Sequence, residues 1–404
     1  MVWGGGAANF RAANVNWLRR MFGGAGASAA SASKSPLHRL TLRPTEVPSP
    51  DGSGFRDVSF GHTHGALVTG KGDVFTYGQG GSFQLGLGKK EEFVEQPTRV
   101  QDIGQVVQAA CGKHHTLFLT ESGEVYAVGR GDSFATTSAL GAKERSDALR
   151  PRRVAVPAGV KIAQISAGSV HSLLLSTTGQ VYAFGQGEYG RLGTGGSGAE
   201  KFPVLLQALQ KHRVVHVVSG SSFNGALSAE GHVYTWGRHE KGQLGLGVGI
   251  SPDQSAMESV PTRVEFPGEE HGESVRITQL AAGYKHMLAL SGSSKADRAL
   301  YTWGNSVHTS PSRSLFRDAS SFVAVGGGDH FSVAADAAGC LASWGHGKAG
   351  CLGHGNQNNV KEPLWIRGFG ASPDKAGVSK PEDWFGRVEF IKPGHNHCAV
   401  LARR

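Results

Sequence analysis

Ile162-Ala-Gln-Ile-Ser-Ala-Gly-Ser-Val-His-Ser-Leu-Leu-Leu175, followed by Gly179-Gln-Val-Tyr-Ala-Phe-Gly185 and Tyr189-Gly-Arg-Leu-Gly193, is one unit of an internal repeat. Apolar and small residues alternate on both sides of Gly168, which predicts two short strands joined by a turn. The Val-Tyr-Ala-Phe run is rich in β-formers and ends on glycine, which predicts a third strand. A fourth follows the Leu-Gly turn, so the unit has the strand count of one propeller blade.

The first half of this unit recurs along the chain at Gly61–His64, Gly112–His115, Gly220–Phe223, Gly283–His286, Gly327–His330 and Gly394–His397. The second half recurs at Val74–Gly78, Val125–Gly129, Val233–Gly237, Leu300–Gly304 and Leu341–Gly345. Prolines close several units, as in Pro97-Thr-Arg-Val100 and Pro261-Thr-Arg-Val264. An edge strand tolerates the missing donor. The expected fold is all-β, a seven-bladed β-propeller of four-stranded blades.

The seventh unit stops early, after His397-Cys-Ala-Val-Leu401, and lacks its aromatic-Gly half. That half stands at the other end of the chain as Val2-Trp-Gly4, and a closing proline motif as Pro44-Thr-Glu-Val47. The ring is therefore expected to close by N-terminal strands pairing with the C-terminal blade, which leaves no open edge at the seam. In domain terms, residues 1–404 form a single propeller. Residues 1–47 hold the closing strands and a basic insertion at 7–43, and 55–401 hold the repeats.

Composition agrees. The chain has 60 glycines among 404 residues, about twice the usual share, as a protein of many tight turns requires. Its four cysteines show no metal or disulfide spacing. No run of about 18 apolar residues exists to span a membrane. The formal charge is +9, and residues 1–50 carry six basic residues against Glu46 alone. Such an excess suits an acidic partner such as RNA, and it suits solubility alone equally well.

Units of the form Gly-x-x-His-Ser/Thr, Gly-x-Val-Tyr-x-Trp-Gly and Gly-x-Leu-Gly resemble the regulator of chromosome condensation repeat. Gly168–Ser172 with Gly179–Gly185, and Gly231–Gly237 with Gly242–Gly245, are near-complete instances. The resemblance runs from about residue 40 to 401 and includes Val2–Gly4. It implies the propeller fold and leaves function open, because one fold hosts many roles. The family includes the nuclear exchange factor for the Ran G protein, a plant ultraviolet photoreceptor, domains of ubiquitin ligases, and mitochondrial members linked to ribosome assembly. The photoreceptor's repeated Gly-Trp-Arg-His is absent here; the equivalent places read Gly61-His-Thr-His64 and Gly283-Tyr-Lys-His286. The mitochondrial members fit better. Residues 1–43 have no acidic residue and a Ser/Ala-rich run, the composition of a transit peptide. A mitochondrial location is expected, with nuclear or cytoplasmic as the alternative.

No residue pattern supports catalysis, a cofactor or a metal. The histidine column invites a metal ring, but equivalent positions in different blades stand too far apart for bonds of about 2 Å. Each histidine is expected to bond a backbone group in its own blade. Gly185–Gly190 and Gly345–Gly350 match a dinucleotide fingerprint by letter, yet each sits at one repeat phase with no helix pattern after it.

The expected function is therefore a non-catalytic protein/RNA interaction scaffold, ribosome-associated or acting in ribosome assembly. Its partners would be ribosomal proteins and rRNA, or another large mitochondrial assembly, with the chain a monomer within the complex. The alternative is a guanine-nucleotide exchange factor for a small G protein. Candidate partner-binding residues are Arg11, Arg19 and Arg20 of the basic insertion, with Arg313 and Arg317 of the segment Asn305–Ser320. Gly131–Ala139, Val248–Ser259 and Pro267–Ser274 are further insertions on the scaffold.

Overall fold

A computed structural model describes residues 2–4, 49–130, 148–247, 256–269, 275–292, 298–316, 318–366, 387–395 and 398–403. Six sheets each have four consecutive antiparallel strands, and a further sheet has three. The third blade is typical, with strands Ile162–Ala167, His171–Ser176, Val181–Gly185 and Glu200–Leu205 from inside to outside. Inner strands of all seven sheets line one central channel of about 600 Å³.

The expectation of seven four-stranded blades is corrected to six complete blades. The last sheet joins Arg387–Pro393 and Cys398–Arg403 with Val2–Gly4 at its outer edge. Val2–Gly4 runs parallel to its neighbour, Val2 opposite Val400. The third strand of every complete blade is antiparallel to the second, as in His171 opposite Gly185. The N-terminal strand thus does not reproduce the missing third strand of the repeat. Pro44–Val47 lies outside the described residues.

The repeat letters have packing reasons. A Cβ on Gly168 would overlap the ring of His171, which folds back against that glycine. On Gly61 it would also meet the carbonyl oxygen of Gly112 in the next blade. The third-strand hydroxyls of Thr76, Thr235 and Ser343 each donate to the carbonyl of the Leu in the Leu-Gly turn, at 2.7 Å. Third-strand tryptophans reach back one blade: Trp236 Nε1 donates to Arg191 O at 3.2 Å and Trp303 Nε1 to Gln243 O at 3.1 Å. Pro97 and Pro261 lie in outer strands, where an absent donor costs no ladder bond within the blade.

The histidine column joins blades rather than staying within them. His64 Nε2 lies 2.8 Å from Thr116 Oγ1, His115 Nε2 3.1 Å from Ser172 Oγ, His171 Nε2 2.7 Å from Asn224 Oδ1, and His286 Nε2 2.9 Å from Ser332 Oγ. Each partner sits one blade onward, in the position that follows the column. The expected backbone bond within one blade is replaced because the ring, pinned against its glycine, points its Nε2 at the neighbouring sheet.

Where the column holds phenylalanine, the partner position is apolar. Phe223 shares a buried cluster with Met287, and Phe331 shares one with Cys398. The sixth unit also corrects the reading by one residue. Phe331, not His330, pairs with Gly345 as His171 pairs with Gly185, and Gly328 is the glycine beneath it. His397 lies outside the described residues.

Inner strands are linked in the same direction. Asp57 Oδ2 accepts Ala109 N–H at 3.0 Å, Gln108 Oε1 accepts Ile165 N–H at 2.9 Å, Gln164 Oε1 accepts Val217 N–H at 3.0 Å, and Gln279 Oε1 accepts Val325 N–H at 2.9 Å. The seam between first and last sheets is spanned by Lys392 Nζ to Asp57 Oδ1 at 3.1 Å. Replacing Lys392 with methionine leaves a buried carboxylate with a backbone donor but no cation. A loss of about 2 kcal/mol is expected, the usual order for breaking such a pair from one side. A thermal melt of Lys392→Met against the parent checks it; an unchanged midpoint would show that the pair does not hold the seam.

Candidate docking face at the channel mouth

The turns that join first and second strands gather at one end of the channel. The residue after the turn glycine comes from a different blade each time: His62, Lys113, Ser169, Ser221, Tyr284, Asp329 and His395. All seven line a cavity of about 140 Å³ at the channel mouth. Their backbone is uniform. Lys113 N–H donates to Ser169 O, Ser169 N–H to Ser221 O, Ser221 N–H to Tyr284 O, and Tyr284 N–H to Gly328 O, at 2.9 to 3.2 Å. The frame is repetitive and the side chains are not, which is the form of a recognition surface on a rigid scaffold.

One sector of this mouth is rich in histidine. The rings of His62 and His395 lie 4.4 Å apart, and His395 Nδ1 is 2.7 Å from Asp329 Oδ2. Burial holds His62 below the usual histidine range, helped by the charges it would meet at His395 and Lys113 and opposed by Asp329. His330 Nε2 is 3.8 Å from the same carboxylate oxygen, and its ring faces His346 at 5.3 Å. Among the described residues no group of three or more His, Cys, Asp or Glu is arranged to hold a metal ion.

A second sector is cationic. Glu240 is buried between Arg238 Nη2 at 2.6 Å and Lys285 Nζ at 3.0 Å. Arg238 lies over the Tyr189 ring at 4.3 Å, with Arg191 at 5.5 Å. Arg191 is depressed from its ordinary value by burial, although Glu188 and Tyr189 favour its charge. Tyr189 holds a left-handed φ of 61° inside a one-turn 3-10 segment, Glu188–Gly190. That segment is what the Gly185–Gly190 fingerprint becomes, and Lys348–Gly350 is its counterpart in the sixth blade. Neither leads into an α-helix of the kind a dinucleotide site needs.

Of the residues proposed from sequence, Arg11, Arg19, Arg20 and Arg317 lie outside the described residues, as does Gly131–Ala139. Arg313 is exposed at the end of the outer strand His308–Arg313, opposite Tyr301. Gly304, at the mouth end of the third strand, pairs instead with His308, so Arg313 points to the opposite end of the blade. Much of Asn305–Ser320 is therefore not an insertion loop. Asn305 and Ser306 turn at φ 51° and 62°, and the fourth strand follows directly. In Pro267–Ser274 the acidic Glu269 serves its own loop, accepting Phe266 N–H at 3.0 Å and Arg263 at 3.2 Å. The mouth ring was missed because the residues after the turn glycine read as variable turn positions. Aligning them by repeat phase is the signal that finds them.

Comparison with known proteins follows this architecture. The family model described as the regulator of chromosome condensation (RCC1) repeat matches residues 71–119, 122–175, 178–227 and 230–290. The Arabidopsis thaliana ultraviolet-B receptor UVR8 is 30% identical over 324 residues, which cover 77% of this chain and 69% of that protein. The human E3 ubiquitin-protein ligase HERC2 is 32% identical over 61% of this chain, but the match spans only 5% of that protein. The mitochondrial RCC1 domain-containing protein RUG3 of Arabidopsis thaliana is 28% identical, over 56% of this chain and 51% of that protein. Among solved structures, human WBSCR16 superposes with a TM-score of 0.69 at 23% identity and 86% coverage of both chains. Yeast RCC1 (Prp20) bound to Kap60 gives 0.68 at 21% identity, covering 84% of this chain and 78% of that one. At these identities the structural matches speak for the fold alone.

Proposed function

Because this chain belongs to the RCC1 repeat family, whose β-propeller carries varied functions on one frame, we propose that it is a non-catalytic interaction scaffold of mitochondria. Its partners are the ribosomal proteins and rRNA of the mitochondrial ribosome or its precursors. The observation that carries a scaffold role is the mouth: seven equivalent backbone positions held rigidly, each displaying a different side chain. The mitochondrial assignment draws on the likeness to RUG3 and on the acid-free basic composition of residues 1–43. Closure of the seventh blade by residues 1–47 belongs to the same proposal, with Val2–Gly4 already beside the last strand.

The test is co-sedimentation of the purified chain with mitochondrial ribosomal particles. A sub-stoichiometric or absent signal against both subunits and their precursors refutes the ribosomal partner.

A second reading has its own support. Prp20p from Saccharomyces cerevisiae, whose solved structure is described with its binding to Gsp1p and histones, shares the fold. On this reading the chain speeds nucleotide release from a small G protein by wedging a loop against its nucleotide site, with no acid–base residue needed. A fluorescent-nucleotide release assay against a panel of mitochondrial and cytosolic small G proteins decides it. The scaffold reading expects release rates equal to those without the chain.

A further inference from the structure

The mouth contains a carboxylate whose chemistry is only half used. Asp329 has a side chain 9% exposed, and its Oδ2 pairs with His395 Nδ1 at 2.7 Å. Its Oδ1 is buried and has no hydrogen-bond partner. A buried carboxylate oxygen left without a donor is costly, and such a group calls for an explanation in a well-packed protein. The residue lines the 140 Å³ cavity together with His62, His395, Tyr284, Ser169 and Ser221.

We infer that this cavity receives one lysine side chain from a protein partner, whose ammonium meets Asp329 Oδ1. The space is of the order of a four-carbon ammonium stem. The walls suit one: aromatic rings of His62, His395 and Tyr284 for the methylenes, and the hydroxyls of Ser169 and Ser221 as further acceptors. An ammonium fits better than a guanidinium, because Oδ2 is already held by His395 and a bidentate fork would need both oxygens. An anionic ligand would face Asp329 directly, which disfavours a nucleic-acid phosphate at this spot. Lys113 on the rim is the one cation lining the cavity, and it competes with the incoming charge. The inference does not depend on the ribosomal reading. It concerns the side chain that any protein partner presents, and it leaves the basic segment aside.

The probe is n-butylammonium, with n-butanol and butyrate as neutral and anionic controls. Protein labelled with nitrogen-15 at histidine is titrated at pH 7.5, and the imidazole signals of His395 and His62 are followed. Saturable shifts with butylammonium alone are expected. Asp329→Asn should weaken that binding at least tenfold, the size of one charge-assisted contact, roughly 1.4 kcal/mol. Lys113→Ala, an exposed change that leaves the frame intact, should tighten it about threefold by removing a nearby like charge. A thermal melt of each variant establishes that it is folded. Equal shifts with butanol, saturation by butyrate, unchanged binding in Asp329→Asn, or weaker binding in Lys113→Ala would each overturn the assignment.

Discussion

His171→Phe should destabilise the folded protein by about 3 kcal/mol, although phenylalanine occupies the same column in two other blades. The imidazole donates from Nε2 to Asn224 Oδ1 at 2.7 Å, with both side chains fully buried. Asn224 uses its amide nitrogen on Arg191 O, so its oxygen must accept, and that fixes the histidine tautomer. Phenylalanine would leave that oxygen buried without a donor, at about 1–3 kcal/mol, and would force a phenyl edge against an amide. The repeat itself supplies the remedy. Phe223 is matched by Met287 in the next blade, in one apolar cluster. Adding Asn224→Met to His171→Phe should therefore recover most of the loss, since Arg191 O keeps Trp236 Nε1 as a donor. Urea unfolding of the two single variants and the double one gives the coupling. An interaction of about 1 kcal/mol or more is expected for residues in contact. Strictly additive losses would show that the column does not couple the blades.

Acidification should unfold the protein well before its carboxylates are protonated. Burial depresses His64, His115 and His171 to about 3, with neighbouring histidines adding to the effect at His64 and His115 and Arg191 adding to it at His171. His286 is held at about 4 by burial and by His330, against the opposing pull of Asp329. The unfolded chain binds these protons near the ordinary value of about 6.5. Stability from each buried histidine is therefore complete above that value. It declines as the pH falls toward the folded value, by about 1.4 kcal/mol per unit per histidine. Four such groups together would consume a total stability of about 5–15 kcal/mol within the window from pH 6 to pH 4. Circular dichroism melts across that window should show a steep fall in midpoint. Replacing His115 and Ser172 by a Phe–Cys pair, the combination found at Phe331 and Cys398, should make the fall shallower. A midpoint flat down to pH 4 would contradict the neutral, buried state of the column.

The blades were legible because each carries its own signals: alternation, an exit glycine, an edge proline. Those signals are local, and a four-stranded meander needs little else. The register of the sixth unit was not, since Gly326, Gly327 and Gly328 stand in a row before His330 and Phe331. Letters alone favoured the histidine. Packing chose the phenylalanine, because a ring over Gly328 must find an apolar neighbour in the next sheet, and Cys398 is there. The histidines' partners were hidden for a related reason. Thr116 lies 52 residues from His64, and Asn224 53 from His171. Only the ring brings such positions together. The mouth has the same origin, its residues being one turn position sampled once per blade. Arg313 looked like a loop residue until the outer strand around it formed directly from the turn at Asn305.

Association with isolated mitochondrial ribosomal particles at low and at high salt, for the parent and for the Arg11/Arg19/Arg20→Ala variant, bears most directly on the scaffold proposal. An interface that neutralises RNA phosphates releases counterions, so binding by the parent should fall steeply between about 50 and 200 mM salt. With three cations removed, the variant should bind more weakly at low salt and show a flatter salt dependence. Binding by the variant equal to the parent at both salts, or no association of either at low salt, would contradict the account.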